Sequence, residues 1–509
     1  MTTTPTSDPA FEARVARLGE RLRAAGHAVE RIDTHISTVL LAGDAAYKLK
    51  KPVDFGFVDF TSAARRCHFC QREVELNRRF APDLYLGVET LAGAAAGEDD
   101  ECMVHMRRFD LAATLDRLLP AGRADGAMIA RFARTLAATH AAGAAPAADA
   151  GFGRPALVAR QILATLEAPL ADTLPAGLAG QLSTRVAALG PRFAARRAAG
   201  HVRDCHGDLH LSNVVCLAGE LHAFDCIEFD DALRVIDTLA DAAFLLMDLD
   251  HHGGGELANV FFNDYLEASG DVDGLDLLPV YLAYRSLIRA KVALLGGADD
   301  AAARARAARH VALAARYLEP AGRAGLVITH GLSGSGKSHA ARRLATRRGF
   351  LQLRSDVERR RIAGLELDAD SASPAGAGLY TRAHSQATYA HLAARARQAL
   401  AAGFSVVVDA AFLERDQRRV FGKLAAELGA PFHVLACSAP LEELRARIET
   451  RRARGDDPSE ATLEVLERQQ AAVEPPVADE HTLCITPDEL ARDEVCARLG
   501  RPRPGCTPS

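Results

Sequence analysis

Two stretches of the chain carry polar residues whose types and spacing could bind and transfer phosphate. One runs from His206 to Asn213 and reads His-Gly-Asp-Leu-His-Leu-Ser-Asn, and Asp225 follows twelve residues later. The other runs from Gly331 to Ser338 and reads Gly-Leu-Ser-Gly-Ser-Gly-Lys-Ser. One phosphate site indicates a nucleotide-binding protein. Two sites of different design predict two phosphotransferases joined in a single chain.

The first stretch offers the groups that phosphoryl transfer requires. Such a site needs a carboxylate for the acceptor hydroxyl, oxygen ligands for Mg²⁺ and a lysine on the nucleotide phosphates. Asp208 and Asn213 lie five residues apart, so one loop can present both side chains. The apolar run Leu221–Phe224 is expected to be a strand that returns Asp225 beside them. We therefore expect these three polar residues to share one site.

This first stretch resembles the catalytic loop of the aminoglycoside phosphotransferase and choline kinase family, which are relatives of protein kinases. The family's loop reads His-Gly-Asp-x-His-x-x-Asn. The resemblance implies that Asp208 is the catalytic base, that Asn213 and Asp225 bind Mg²⁺ and that His210 orders the loop. It covers residues 35–320 in pattern. The wider sequence looks like a bacterial subgroup in which this domain is fused to an ATP-binding domain.

The same resemblance implies a strand with a phosphate-binding lysine and a helix with its glutamate partner. The run Ala46–Pro52 looks like that strand. We favour Lys48, but Lys50 alternates onto the same face of the strand, so both remain candidates. On the next helix, Glu73 shares a face with apolar residues at helical spacing, which favours it over Glu75. A plain surface carboxylate is the alternative for Glu73.

The second stretch matches the pattern G-x-x-x-x-G-K-[ST], which is specific when a strand precedes it and a helix follows. Its glycines let backbone N–H groups face phosphates, its lysine reaches the outer phosphates and its last serine binds Mg²⁺. The predicted nucleotide-binding residues are Gly331, Ser333, Gly334, Ser335, Gly336, Lys337 and Ser338.

Two further carboxylates and an arginine follow strands in this part of the chain. Asp409 ends an apolar strand, where an acidic metal ligand belongs, although a helix-capping role is the alternative. Asp356 resembles the acceptor-binding aspartate of small P-loop kinases, so we take it as a candidate base and Arg354 as an acceptor contact. The alternative is that both residues simply begin a helix.

The helix predicted over residues 441–452 carries a cluster of arginines that includes Arg447 and Arg451. It is similar to the lid of nucleotide-, gluconate- and polynucleotide-kinase-like enzymes, and this resemblance covers residues 325–475. Arginines of such a lid stabilise charge on the transferred phosphoryl group. A solvated arginine face is the alternative.

Periodicity indicates how these residues are positioned. Before residue 319, helical and strand-like runs form a small mixed lobe and then a mostly helical lobe, with two short strands beside the first motif. After residue 325, strands alternate with helices. The sequence thus predicts an α/β multidomain protein, with a protein-kinase-like bilobal N-terminal domain and a P-loop NTPase domain with a parallel sheet and helices on both faces. The expected domains are 1–321 and 324–499, followed by a flexible tail at 500–509.

Composition narrows the function further. The chain has 509 residues and a formal net charge of −5, which gives no reason to expect an extended nucleic-acid surface. We see neither a signal peptide nor a membrane-spanning run, and expect a cytoplasmic protein. Cys67 and Cys70 have metal-type spacing without a matching second pair, so we expect two reduced thiols.

The sequence therefore predicts a bifunctional ATP- and Mg²⁺-dependent phosphotransferase that acts on small-molecule hydroxyl acceptors. Two alternatives remain open. In the first, one domain is a nucleotide-sensing or regulatory module and only the other is catalytic. In the second, the protein is an ATPase without a small-molecule acceptor. Neither the acceptors nor any partner protein can be read from the sequence.

Overall fold

The computed structural model describes residues 8–56, 58–93, 99–297, 300–320, 322–366, 381–454 and 462–477, together with residues 480, 482–484, 499 and 503–504. Two compact units emerge from the contacts between residues. The first comprises Met1–Met128, Ala138–Val158 and Gly190–Asp248. The second comprises Ile129–Ala137, Ala159–Leu189 and Leu249–Ser509.

The first unit contains a five-stranded antiparallel sheet with strand order β1-β2-β3-β5-β4. Its elements are α1 (Pro9–Ala24), β1 (Val29–Asp33), β2 (Ser37–Ala42), β3 (Ala45–Lys50), α2 (Ala63–Asn77), β4 (Tyr85–Leu91) and β5 (Glu101–Arg107). Alternate residues of a strand point to opposite faces of the sheet. Leu40 and Leu49 pack with α1, whereas Val39 and Ala46 pack with α2. The two helices therefore cover opposite faces.

The next part of the chain is mostly helical, as its periodicity predicts. Its elements are α3 (Leu115–Leu118), α4 (Gly126–Ala142), α5 (Pro155–Leu163), α6 (Leu178–Ala188), α7 (Gly190–Ala198), β6 (Val202–Asp204), β7 (Val214–Leu217), β8 (Glu220–Ala223), α8 (Asp231–Arg234), β9 (Val235–Asp237), α9 (Thr238–His251), α10 (Gly255–Ser269), α11 (Leu278–Leu295) and α12 (Ala301–Tyr317). Strands β7 and β8 form a hairpin that turns at Ala218 and Gly219, both with positive φ. This hairpin brings Phe224 back to Asn213, whose carbonyl accepts its backbone N–H at 2.9 Å.

The second unit contains a five-stranded parallel sheet with strand order β11-β12-β10-β13-β14. Its elements are β10 (Leu326–His330), α13 (Lys337–Arg348), β11 (Leu351–Arg354), α14 (Ser355–Ile362), α15 (Arg382–Ala401), β12 (Val406–Asp409), α16 (Arg415–Glu427), β13 (Phe432–Ala436), α17 (Leu441–Arg454), α18 (Leu463–Ala472) and β14 (Thr482–Cys484). Helices α13, α15 and α16 pack against the sheet. In the core between α13 and the strands lie Val327, Leu344, Phe350, Val407 and Leu435.

The predicted fold class is confirmed. Sequence reasoning missed several short strands, among them β1, whose polar residues are mostly exposed and extend a pattern that looked helical. The predicted boundary at residues 322–323 lies inside the second unit, so separate folding of the two stretches stays a prediction. Of the predicted tail, Arg503 is buried and its guanidinium pairs with Asp250 at 2.6 Å, so a flexible tail does not hold at that residue.

The expectation of two reduced thiols is wrong for Cys67, which forms a disulfide with Cys102. Helix α2 packs on β5 and brings the two Cα atoms to 4.8 Å, a pairing that local sequence spacing cannot show. Cys70 is a free, buried thiol, and burial raises its pKa to about 12. None of the helices among the described residues is long and apolar enough to cross a membrane.

Candidate active sites

The loop that begins at His206 is held from behind by a buried carboxylate of α9. Asp241 accepts hydrogen bonds from the backbone N–H groups of His206 at 3.0 Å and Gly207 at 2.8 Å. Gly207 has a φ of +88°, and a Cβ there would lie 2.9 Å from the carbonyl oxygen of Leu233. Only glycine fits both the conformation and the space. The backbone of this loop is therefore fixed before its polar side chains are placed.

Asp208 and Asn213 lie together, as the loop spacing predicts. The Asn213 amide nitrogen donates to the Asp208 carbonyl oxygen at 3.0 Å and to its carboxylate at 3.3 Å. His210 Nε2 lies 3.4 Å from the same carboxylate. The Asp208 side chain is 38% exposed, so an acceptor hydroxyl can reach it. This exposure and these contacts suit a carboxylate that accepts a proton from a bound substrate.

Asp225 follows β8 in a strained backbone conformation. Its φ is +62°, which costs a non-glycine residue on the order of 1–2 kcal/mol. The Tyr85 hydroxyl accepts the Asp225 backbone N–H at 3.0 Å, and the Asn77 side chain accepts that of Cys226 at 2.8 Å. Neighbouring elements therefore hold the strained turn in place. Strain of this kind concentrates at functional sites, where it sets the direction of a side chain.

The side chains of β3 settle how its two lysines differ. Lys48 Nζ lies 2.8 Å from Glu73 Oε1 and 2.5 Å from Asp225 Oδ1. Lys50 Nζ lies 2.7 Å from Glu73 Oε2 and also pairs with Glu228. Lys48 is 14% exposed beside a half-exposed aspartate, whereas Lys50 is 1% exposed. The structure thus places Lys48 at the site and Lys50 behind it, and both contact the same glutamate.

The environment shifts the pKa values of this network. Burial alone would lower the pKa of Lys48, but the Asp225 and Glu73 carboxylates outweigh it and raise the pKa well above its ordinary value. Burial raises the pKa of Glu228 despite the nearby Lys50 ammonium. Sequence reasoning missed Glu228. Its only signal is an acidic residue within the apolar run that follows Asp225. By contrast, Glu75 is 67% exposed and pairs with Arg72.

The oxygen donors of the first site suit a divalent cation. Asp225 supplies a carboxylate, and Asn213 supplies an amide oxygen, because its amide nitrogen is the group that donates to Asp208. Hard cations such as Mg²⁺ take oxygen ligands of these two kinds. The two predicted ligands therefore fit the cation in their donor chemistry.

The second phosphate site is a glycine-rich turn between β10 and α13. Gly331, Gly334 and Gly336 have φ values of +142°, +82° and +91°. A Cβ on Gly331 would lie 2.2 Å from the carbonyl oxygen of Cys437, and one on Gly334 would lie 2.8 Å from that of Leu444. These two positions require glycine for space as well as for conformation. The turn ends where α13 begins, at Lys337.

Asp409 lies beside this turn, because β12 is the neighbour of β10 in the parallel sheet. Its Oδ1 accepts a hydrogen bond from the Ser338 hydroxyl at 3.2 Å, and its Oδ2 accepts one from the Gln352 amide at 3.1 Å. Burial raises the pKa of Asp409, although Arg354 and Lys337 oppose the shift. A hydroxyl and a carboxylate oxygen suit Mg²⁺. Sequence reasoning missed Gln352, whose signal is only a polar residue within a buried strand.

The turn opens into a cleft of about 1300 Å³ that contains most of the predicted residues of this site. Arg354 Nε lies 4.0 Å from Asp409 Oδ2. Asp356 lines the cleft, and Arg359 Nη1 lies 3.2 Å from its carboxylate. The Tyr389 side chain also lines the cleft. A substrate in this cleft would therefore meet both cationic and anionic groups close to the phosphate turn.

Side chains from α17 and α18 contact the glycine-rich turn. Arg447 Nη1 donates to the Gly334 carbonyl at 3.2 Å, and its Nη2 pairs with Glu443 at 2.8 Å. The backbone N–H of Ser333 donates to Gln469 Oε1 at 2.8 Å, and Gln469 was not predicted. The side chain of Arg451 lies outside the described residues. Lys337 Nζ donates to the Leu332 carbonyl oxygen at 2.7 Å, and Ser335 lines the cleft.

Two stretches of the chain match models of known protein families. Residues 58–278 match the model of the phosphotransferase enzyme family, and residues 326–476 match that of an AAA domain. Over 444 residues the chain is 33% identical to uncharacterized proteins of Mycobacterium tuberculosis H37Rv and Mycobacterium bovis. These matches cover 85% of this chain and 88% of each mycobacterial protein.

Parts of the chain are also similar to solved structures. A choline/ethanolamine kinase family protein from Mesorhizobium loti shares 20% identity over 61% of this chain and 95% of its own, with a TM-score of 0.38. An aminoglycoside phosphotransferase from Streptomyces rimosus, in complex with ADP and streptomycin, shares 21% identity over 54% of this chain and 97% of its own, with a TM-score of 0.33.

A kinase-like loop with its lysine, together with a P-loop on a parallel sheet, defines a kinase-type phosphotransferase that binds ATP. Phosphotransferases of this kind use ATP with a divalent metal and act on small-molecule substrates. The chain carries a phosphotransferase-family domain at residues 58–278 and an AAA domain of the P-loop kinase type at residues 326–476, and it belongs to one family with the mycobacterial proteins.

Proposed function

We propose that the protein is a bifunctional phosphotransferase that depends on ATP and Mg²⁺ and phosphorylates one small-molecule hydroxyl acceptor in each of its two sites. One observation carries the proposal. Each phosphate site is completed by a carboxylate from a distant part of the sequence, Asp225 for Lys48 and Asp409 for Ser338. In the sequence, Asp225 lies 177 residues from Lys48, and Asp409 lies 71 residues from Ser338. We assign the first activity to residues 1–321 and the second to residues 324–499.

At the first site, the acceptor hydroxyl gives its proton to Asp208 while the hydroxyl oxygen attacks the terminal phosphorus of ATP. The bond to the leaving ADP oxygen breaks in the same transfer. Lys48 holds the nucleotide phosphates, and Glu73 holds Lys48 at 2.8 Å. Asn213 and Asp225 would hold Mg²⁺, which would supply positive charge against the phosphates. Asp208 keeps an exposed side of its carboxylate for the acceptor.

At the second site, backbone N–H groups of the glycine-rich turn face the phosphates, and Lys337 reaches the outer ones. Asp356 is the candidate base, and Arg354 contacts the acceptor within the cleft. Arg447 and Arg451 stabilise charge on the transferred phosphoryl group. Ser338 and Asp409 are the proposed Mg²⁺ ligands.

The test is ADP release from the purified protein against a panel of alcohols, sugars, nucleosides and aminoglycosides, with Asp208→Asn and Lys337→Ala variants beside the wild type. Each active acceptor should be lost in one variant and kept in the other. Asp208→Asn should lower kcat for its acceptors by at least about 100-fold, because it removes a base. Its nucleotide affinity should stay within about twofold, because the base acts on the acceptor rather than on ATP.

Each variant serves as the control for the other, since the two changes lie in different folds. If one variant removed every acceptor-dependent activity, the other half would be a nucleotide-sensing module. ADP release that needs no acceptor and disappears only in Lys337→Ala would identify an ATPase. Either result would overturn bifunctional transfer.

A further inference from the structure

Helix α10 packs on β11, the edge strand of the parallel sheet that carries the P-loop. The helix lies within the stretch that matches the phosphotransferase family model, residues 58–278. Yet it belongs to the same compact unit as the P-loop sheet. The Asn259 amide donates to the Thr346 carbonyl oxygen at 2.8 Å, and Asp264 pairs with Arg342 of α13. Side chains along the helix therefore fix it to the P-loop fold.

The Asn263 side chain replaces the neighbouring strand that β11 lacks on this side. Its amide nitrogen donates to the Phe350 carbonyl oxygen at 3.0 Å, and its amide oxygen accepts the Gln352 backbone N–H at 2.8 Å. These are the two groups that flank Leu351, and a paired strand would bond to the same two. A side-chain amide has the donor and acceptor of a peptide unit, so these two edge groups are satisfied without a strand.

A second residue of α10, Glu267, contacts Arg354, which lies two residues after Gln352 on β11. Glu267 Oε1 lies 3.7 Å from Arg354 Nη1, and burial raises the pKa of this glutamate. Four residues of a helix rise about 6 Å, and two residues of a strand rise about 6.6 Å. The spacing of Asn263 and Glu267 along the helix is therefore close to the spacing of Gln352 and Arg354 along the strand, so each helix residue can contact one strand residue.

Both strand residues point their side chains toward Asp409. The Gln352 amide donates to Asp409 Oδ2 at 3.1 Å, and Arg354 Nε lies 4.0 Å from the same oxygen. The other oxygen of Asp409 accepts the Ser338 hydroxyl. Two chains of contacts thus run from α10 through β11 to one carboxylate oxygen.

We propose that helix α10 is part of the P-loop site and that Asn263 and Glu267 are positioning residues, which orient the Mg²⁺ ligand Asp409 through Gln352 and Arg354. The inference rests on the proposed function of this site. Residues that hydrogen-bond to a metal-ligating side chain, without touching the metal, commonly change metal affinity by about 10–100-fold when they are removed. The P-loop would then depend on a helix that lies outside the AAA match and inside the phosphotransferase stretch.

The test measures how much Mg²⁺ strengthens ADP binding, using the full chain and calorimetric titration with and without Mg²⁺. An Asp225→Asn background changes the cation ligand of the first site, so that the Mg²⁺ effect reports the P-loop site. Asn263→Ala combined with Glu267→Gln should reduce the Mg²⁺-dependent gain in ADP affinity by about tenfold. ADP affinity without Mg²⁺ should be unchanged, because the glycine-rich turn is untouched.

Three further variants make the result decisive. Glu256→Gln is the matched control on the same helix, since its side chain is 54% exposed and lies 3.9 Å from Arg347. It should leave the Mg²⁺ effect intact. Gln352→Ala should reproduce the loss. Glu267→Gln alone is a milder, isosteric change that should cause a smaller loss of the Mg²⁺ effect, on the order of threefold. It provides the measurement if the double variant does not fold.

The outcomes separate this inference from the function it rests on. If Gln352→Ala lost the Mg²⁺ effect while the α10 variants kept it, α10 would be packing and not part of the site. A lower melting temperature with an intact Mg²⁺ effect would lead to the same conclusion. If Lys337→Ala left ADP binding unchanged in this background, the P-loop function itself would fail, whatever α10 does.

Discussion

In the first site the proposed phosphate-binding lysine, Lys48, is held by side chains, whereas in the second the proposed phosphate-binding turn is made by the backbone. The first depends on a network of five acidic and basic side chains, in which Lys50, Glu73 and Glu228 are buried and Lys48 and Asp225 are partly exposed. The second depends on glycines with positive φ at the start of α13. The difference predicts that the two sites fail in different ways.

A buried ion network is stable only while every charge has its partner, because removal of one leaves another uncompensated in a low dielectric. Damage to the first site should therefore appear as lost folding stability. A backbone turn keeps its shape when an exposed side chain is cut back, so damage to the second site should appear as lost ligand binding.

The largest effect is expected for Lys50→Met. This change leaves Glu228 buried without its cation, so the free energy of unfolding should fall by about 3 kcal/mol or more. Urea denaturation of the variant and the wild type measures it. The Glu73 and Glu228 carboxylates raise the pKa of Lys50 against the effect of burial. Its contribution is therefore present at neutral pH and is lost only as the pH rises above about 10.4 and through the raised pKa.

Lys48→Met is the matched control for Lys50→Met, because it changes the same residue type two positions away on the same strand. Its partner Asp225 is 46% exposed and can be solvated, so the loss of stability should be smaller. Nucleotide binding at the first site should weaken instead. Equal destabilisation by the two variants would contradict the division of roles between them.

An intermediate effect is expected for Lys337→Ala. Loss of this charge should weaken ATP binding or turnover at the second site by at least about tenfold, or about 1.4 kcal/mol. Lys337 is partly exposed and its amine donates to the Leu332 carbonyl oxygen, whereas Lys50 is buried, so stability should change less than in Lys50→Met. Binding stoichiometry measures the effect, with two nucleotides per chain in the wild type and one in the variant. A stoichiometry of one in the wild type would remove one of the sites.

The smallest effect is expected for Glu75→Gln. This glutamate is 67% exposed and pairs with Arg72 on the surface, so unfolding free energy should change by less than about 0.5 kcal/mol. Glu73→Gln, two residues away on a different side of α2, removes the carboxylate that both lysines share and should destabilise the protein strongly. Parallel urea titrations compare them. Similar stability losses for both would mean that the buried network is not what holds the first unit together.

The same contrast explains what the sequence could and could not predict. The P-loop is eight consecutive residues between a strand and a helix, so local pattern is enough to read it. The choice between Lys48 and Lys50 needs Asp225 and Glu228, which come from 177 and 178 residues away. Alternation shows only that both lysines share a face. The disulfide of Cys67 with Cys102 was missed for the same reason, because it depends on how α2 packs on β5.

The amide of Asn263 also bears on how the protein avoids association with itself. An edge strand with unpaired N–H and C=O groups is a template on which another chain can add a strand and aggregate. Here the open side of β11 is closed by a side chain of the same polypeptide. A P-loop stretch cut free at residue 324 would carry this edge bare. We therefore expect a stretch that begins at residue 324 to be less soluble than the intact chain.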